Sequence, residues 1–195
     1  NKSYEGVDAF IVPSKFLGDV VAPRIGHNKI HLIRNGIDHT NFIPSTKDEK
    51  YLLYVGRLSS EKGVETLLNA HSSMDNPVRL VIVGTGPLED KLRLQASSSV
   101  TFKGYCDGDN LWEIIKKSSC LIVPSECYEN APMTILEGMA FAKPIIASRI
   151  GGIPEQVVHG ETGILFTPGD THELCQALDV MMTDTDKRRR MGLNG

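Results

Sequence analysis

Pro124-Ser125-Glu126-Cys127-Tyr128-Glu129-Asn130-Ala131-Pro132-Met133-Thr134-Ile135-Leu136-Glu137 follows the apolar run Cys120-Leu121-Ile122-Val123 and leads into the apolar stretch 132–141. The pattern reads as strand, loop, helix. Two carboxylates, Glu129 and Glu137, stand at the two ends of the junction with seven residues between them (137 − 129 = 8). A helix that is hydrophobic all round is buried as a rule, so Glu137 is expected where a charge is costly without a partner. A carboxylate kept there suggests a polar ligand, and ribose hydroxyls suit it as hydrogen-bond donors.

Outward from this unit, short apolar runs alternate with helical patterns. Strands are expected at 9–12, 30–33, 51–55, 79–83, 100–102, 120–123, 144–147 and 163–166. Helices are expected from Ser14 to about Ala22 and at 64–74, 87–96, 110–117, 132–141 and 172–182, with Asn35-Gly36 as a turn and 38–49 as a polar connection. Strands alternating with helices predict a doubly wound parallel sheet covered on both faces. The strands are apolar throughout instead of alternating, as parallel strands are. In such sheets ligands bind outside the carboxyl ends of the strands, so the loops after strands are the places to look for chemistry.

The 195 residues suit one domain, and 41% hydrophobic with 23% charged residues is ordinary globular composition. A net charge of −3 argues against a nucleic-acid binder. No apolar run has the length of a membrane span. The opening residues 1–5 are not a signal peptide and lack an initiator Met, which suggests a piece of a longer protein. Four Cys (106, 120, 127, 175) include no CxxC pair, and six His (27, 31, 39, 71, 159, 172) show no metal spacing, so no metal site is expected. A reduced, cytoplasmic compartment is the default for such cysteines.

Three loops after strands carry candidate chemistry. After 51–55 come Gly56-Arg57-Leu58-Ser59-Ser60-Glu61-Lys62-Gly63, with Arg57 and Lys62 near a helix N-terminus, an end that already favours anions. Two added cations suit a diphosphate, although solvated surface cations beside a Gly turn fit equally well. The spacing is not a P-loop, since Glu61 and Gly63 flank the Lys. After 79–83, Gly84-Thr85-Gly86-Pro87 begins like a dinucleotide fingerprint, but Glu89 stands at the third Gly. A tight turn is the simpler reading there, and a backbone lining for a nucleotide the functional one.

In the third loop, paired acids first suggest hydrolysis by an acid and a base, yet one of these sits within a helix. The alternative is ligand holding, with Glu129 on sugar hydroxyls, Glu137 on ribose, and helix N–H groups between them on phosphate or sugar oxygens. The bland reading makes Glu129 an exposed loop acid and Glu137 a helix acid satisfied by Thr134 or another core partner. Gly151-Gly152-Ile153-Pro154-Glu155 reads equally as a turn or a ligand contact. Lys187-Arg188-Arg189-Arg190 reads as a solvated helix face.

Taken in order, these elements resemble the donor-binding half of GT-B glycosyltransferases, in the large retaining group 1 (family 4) class. The matching pieces are Asn35-Gly36-Ile37-Asp38, Gly56-Arg57 with Lys62-Gly63, Gly84-Thr85-Gly86-Pro87, Glu129 with Glu137, and Gly151-Gly152-Ile153-Pro154-Glu155 with Gly160 and Gly163. The resemblance implies a Rossmann-like fold and retaining, hexosyltransferase-type transfer of a sugar from a UDP- or GDP-linked donor, without a metal or other cofactor. It assigns Arg57 and Lys62 to the donor diphosphate, Glu129 to the transferred sugar and Glu137 to ribose. Gly56, Gly84, Gly86, Asn130, Ala131, Met133 and Thr134 would line the donor. Protein cations and a helix end would stabilise the leaving diphosphate.

One departure stands out: many members follow the first acid with Gly-Phe-Gly, where this chain has Asn130-Ala131-Pro132. Pro132 has no N–H to offer, so Met133 and Thr134 would have to supply the free donors.

The resemblance also implies that 1–195 is one donor domain, with the N-terminal acceptor domain and the C-terminal crossover helices outside it. Acceptor contact, and any peripheral contact with the inner membrane surface, would come through that missing half. The piece alone would bind donor weakly and not turn over. A sugar-nucleotide epimerase of GT-B architecture and a non-catalytic doubly wound binding module are the competing readings.

Overall fold

The computed structural model describes residues 6–38, 40 and 42–195. The chain runs β1 (Phe10–Val12), α1 (Lys15–Ile25), β2 (Ile30–Leu32), β3 (Tyr51–Val55), α2 (Val64–Ser72), β4 (Arg79–Val83), α3 (Glu89–Gln95), β5 (Val100–Phe102) and α4 (Gly108–Lys117). It continues with β6 (Cys120–Val123), α5 (Met133–Ala140), β7 (Ile145–Ser148), β8 (Gly163–Phe166), α6 (Thr171–Thr183) and α7 (Thr185–Asn194). Short 3-10 turns cover His27–Lys29, Ser60–Lys62 and Ile153–Glu155.

Six strands form one parallel sheet in the order β5-β4-β3-β6-β7-β8. Each strand is an apolar run too short to bury itself, and each is followed by a crossover, most of them helical, that returns the chain parallel. The two sides of β3 sort the core. Leu52 and Tyr54 join Leu80, Ile82 and Ile122 under α2, α3 and α6, through Leu67, Leu92, Leu174 and Leu178. Tyr51 and Leu53 join Val81, Leu121 and Ile145 under α4 and α5, through Ile115 and Ile135. Both faces are thus covered, as the sequence predicts.

β1 and β2 pair with each other, Phe10 with Ile30 and Val12 with Leu32, and form a separate two-stranded parallel sheet. The doubly wound sheet that the sequence predicts is built from the other six strands. The apolar character of β1 and β2 is the same as that of the other strands, and only the choice of partner differs. Glu155 ties this small unit to the main body: its carboxylate accepts from the first N–H groups of α1, Lys15 N at 2.9 Å and Phe16 N at 2.7 Å. An acid at a helix N-terminus satisfies donors that the helix itself leaves unpaired. Asn35 adds a bond from Nδ2 to the Ala131 carbonyl.

The basic run at 187–190 is not a uniformly solvated face. Arg188 is 5% exposed. It donates to the Met181 carbonyl at the end of α6 and to Asp48 Oδ2 at 2.6 Å. Burial pushes the Asp48 carboxyl up, but bonds from Ser119, the Lys50 N–H and Arg188 outweigh it and hold the group below its ordinary range. Beside them Lys143 donates to the Lys47 carbonyl at 2.7 Å, and burial lowers its amine to about 8. This cluster fastens the connection 45–50 beneath β6 and β7. Among the described residues no helix is long and apolar enough to cross a membrane.

Candidate functional site

Chain order reverses between β3 and β6: β4 and β5 build outward on one side, β7 and β8 on the other. A doubly wound sheet opens a crevice at that switch, beyond the carboxyl ends of the two strands. The loops that leave β3 and β6 are the ones that carry Arg57, Lys62 and Glu129. They border a cleft of about 250 Å³ lined by Tyr54, Gly56, Arg57, Lys62, Ser125 and Glu129, with Pro132, Met133 and Thr134 at the start of α5.

The first loop is fixed by its neighbours. Gly56 N–H donates to the Val83 carbonyl at 3.0 Å and Leu58 N–H to Thr85 at 2.9 Å. Tyr54 donates its phenol proton to the Arg57 carbonyl at 2.8 Å. Burial, with the nearby charges of Glu129 and Glu61, raises the Tyr54 phenol well above its ordinary value, which keeps that proton in place. Gly84 explains its own identity: φ is +129° and a Cβ would lie 1.8 Å from the Gly56 carbonyl oxygen. A Cβ on Gly86 would likewise meet the Leu58 backbone. Gly84 and Gly86 therefore support the cation loop from behind and are not among the residues lining the cleft.

Lys62 ends the Ser60–Lys62 turn, and Gly63 then caps α2 with φ +65°. A Cβ on Gly63 would come within 1.9 Å of the Pro124 carbonyl oxygen, and Glu126 N–H donates to the Glu61 carbonyl at 2.9 Å. The two loops are thus bolted together across the switch. Lys62 Nζ reaches Glu129 Oε1 at 2.6 Å, and Ser125 Oγ donates to the same oxygen at 2.8 Å. Arg57 is exposed, and its side chain makes no hydrogen bond or salt bridge among the described residues; its charge helps lower the Glu61 carboxyl after the larger effect of the Ser59 hydroxyl.

α5 begins at Met133 with Pro132 as its cap residue, one position later than the sequence suggests, and no side chain caps it. The first-turn N–H groups of a helix have no partner within it, so those of Met133 and Thr134 are available to an anion at the cleft. The helix is half-buried instead of apolar-walled on every side: Ile135 and Gly138 are buried, Met133 is exposed. Glu137 lies one turn further along, outside the cleft-lining set. Burial raises its carboxyl above the ordinary range, and it finds no hydrogen bond or salt bridge among the described residues, Thr134 included.

Asn130 and Ala131 also lie outside the lining. Their stretch of backbone is engaged elsewhere: the Glu129 carbonyl accepts from Gly152 N–H at 2.7 Å, and Ala131 accepts from Asn35 at 3.2 Å. Gly151–Glu155 is therefore a structural brace for the Glu129 loop and for α1. Sequence reasoning passed over Ser125 and Tyr54. The only signal for Ser125 is a hydroxyl four residues ahead of an acid on the same loop. His71, His159 and His172 bond within the protein, while His39 and the opening residues 1–5 lie outside the described residues.

A doubly wound sheet with cations, a helix end and an acid gathered at its switch point defines a Rossmann-like domain of GT-B type. The chain belongs to the family described as Glycosyl transferases group 1, whose model matches residues 38–195.

Among its relatives is the alpha-maltose-1-phosphate synthase of Mycolicibacterium smegmatis, 30% identical over 98% of this chain and 58% of that protein. Another is the sulfoquinovosyl transferase SQD2 of Arabidopsis thaliana, 27% identical over 97% of this chain and 40% of that protein. The chain spans about half the length of the curated relatives it matches. Among solved structures it is similar to sucrose-phosphate synthase of Thermosynechococcus elongatus, with TM-score 0.86 and 29% identity over 97% of this chain and 53% of that one. Anabaena HepE in complex with UDP-glucose superposes with TM-score 0.87 over 96% of this chain and 57% of that one, at 23% identity. That last likeness shows the fold alone.

Proposed function

We propose that the crevice between β3 and β6 binds a nucleotide-diphosphate sugar, as the donor site of a retaining, hexosyltransferase-type glycosyltransferase. The observation that carries this reading is the convergence of Arg57, Lys62 and Glu129 with the uncapped N-terminus of α5 on one cleft. The HepE structure, a protein of the same fold, holds UDP-glucose. Uridine and guanosine nucleotides are both within the proposal.

The chemistry follows from charge. Transfer forms a bond from an acceptor hydroxyl oxygen to the sugar's anomeric carbon and breaks the bond from that carbon to the diphosphate oxygen; the electron pair of the broken bond leaves with the diphosphate, which also takes up the hydroxyl's proton. Arg57, Lys62 and the Met133 and Thr134 N–H groups face that growing negative charge. Donors fixed in advance at such a place are worth more than water because they need not reorganise. Two protein cations and a helix end make the site suited to act without a metal. Glu129 Oε2, which accepts no hydrogen bond among the described residues, is the oxygen offered to the sugar hydroxyls. Glu137, half-buried and without a partner, is offered to ribose; two hydroxyl donors would relieve the burial cost seen in its raised pKa. Gly56 supplies close backbone, with Gly84 and Gly86 holding it.

In this reading the acceptor is carried by a separate N-terminal half, and turnover needs both. The test is calorimetric titration of the chain with UDP, GDP and their sugar conjugates, alongside K62A and E137Q. Saturable binding of one nucleotide family, weakened by both substitutions, supports it. No binding at millimolar nucleotide, or binding indifferent to Lys62 and Glu137, contradicts it.

A further inference from the structure

The oxygen Oε1 of Glu129 serves two donors at once, Lys62 Nζ at 2.6 Å and Ser125 Oγ at 2.8 Å. Lys62 has a second use in the proposed donor site, since it is one of two side-chain cations at the cleft. An ammonium that turns to a diphosphate loosens its hold on Glu129. The energetics allow this exchange. The pair is partly open to solvent, with 29% and 17% of the two side chains exposed, so water can reach both charges as the ammonium turns. A diphosphate offers more charge and more acceptor oxygens than one carboxylate.

Two contacts keep Glu129 in place after that exchange. Its backbone is braced by the Gly152 N–H. Its side chain is left with Ser125 alone. Ser125 is 2% exposed, and its loop is bolted to the Lys62 loop through Glu126 N–H to the Glu61 carbonyl and the close pass of Gly63 on Pro124. The hydroxyl is therefore in a fixed position whichever way Lys62 points.

We propose that Ser125 is a positioning residue: it holds Glu129 toward the transferred sugar while Lys62 exchanges that carboxylate for the donor diphosphate. The inference rests on the donor-site reading above and adds to it a division of labour. Bare nucleotide affinity depends on Lys62 and not on Ser125, whereas the extra affinity contributed by the sugar depends on Ser125 through Glu129.

The experiment compares UDP with UDP-glucose, and GDP with GDP-mannose, on the 195-residue chain by calorimetry, for wild type, S125A, E129A and the double variant. For the nucleotide pair that wild type binds, S125A is expected to keep bare-nucleotide affinity within about twofold. It should lose roughly tenfold in sugar-nucleotide affinity, the size of one hydrogen bond to a charged group. In the E129A background S125A should change nothing further. Equal losses on bare and sugar nucleotide, or a loss that persists without Glu129, would make Ser125 merely structural and overturn the proposal. Unchanged bare-nucleotide affinity in S125A also reports that the variant is folded. Wild type that binds no nucleotide sinks the donor site itself, a pattern distinct from the others. Wild type that binds no sugar nucleotide more tightly than its bare nucleotide overturns the Ser125 inference alone.

Discussion

Lys62 and Glu129 meet across the switch of the sheet, Nζ to Oε1 at 2.6 Å, one from the loop after β3 and the other from the loop after β6. Both side chains line the cleft proposed for the diphosphate. K62A is expected to weaken UDP or GDP binding by ~10- to 100-fold, as removal of a charge-assisted hydrogen bond does. E129A should leave bare-nucleotide affinity equal or tighter, because it frees Lys62. Calorimetric dissociation constants check both; a loss in E129A as large as that in K62A would contradict the exchange.

At Glu137 stability and the proposed ribose contact call for opposite things. Burial raises its carboxyl pKa, so the folded chain holds that proton more tightly than the unfolded chain. Stability is then lost as pH rises from the ordinary carboxylate range through the raised value, and the deficit remains at neutral pH. E137Q should therefore melt higher than wild type at pH 7.5, with the advantage fading toward pH 4. The same variant should bind the nucleotide about tenfold more weakly, since a neutral acceptor replaces a charged one. Thermal melts across pH and a nucleotide titration read the two effects separately.

Arg188 and Arg189 are neighbours in sequence with opposite fates. R188M leaves the Asp48 carboxylate and the end of α6 without their partner and should cost ~3–5 kcal/mol, the usual loss when one side of a buried pair is removed. R189A, on the exposed side, should stay within ~0.5 kcal/mol of wild type. Urea unfolding at pH 7 distinguishes them, and equal midpoints would return the whole run to the solvated face.

Gly84 supports the cation loop from behind. G84A puts a Cβ where the Gly56 carbonyl oxygen stands and demands φ near +129° of an alanine. It should cost ~3 kcal/mol from strain and overpacking together. Nucleotide affinity should fall as well, through the displaced Gly56–Arg57 backbone. Unfolding curves and titration of the same sample check the two losses; an unchanged midpoint would show that the loop has room.

Sheet and helices were legible in the sequence because each strand is an apolar run bounded by Gly, Pro or Ser, and the runs alternate with helical spacing. That β1 and β2 stand apart was not legible: Phe10–Val12 looks like any other strand, and pairing partners are set by contacts far along the chain. That Arg57, Lys62 and Glu129 would share one cleft was legible because loops after parallel strands are where such sheets hold ligands. Ser125 was passed over because its role exists only once two loops are brought together. Arg188 was misread for a similar reason: its partner Asp48 lies 140 residues earlier. Glu155, read as a turn residue or a ligand contact, does end a turn, and its carboxylate also caps α1; nothing within its own segment signals that helix.

The most direct test of the donor site is the crystal structure of the chain with the nucleotide it binds most tightly. The diphosphate is expected against Lys62 and the Met133–Thr134 N–H groups, with the ribose hydroxyls on Glu137 and Ser125 still bonded to Glu129. A nucleotide seated away from the β3–β6 crevice, or one whose ribose turns from Glu137 toward solvent, would contradict it.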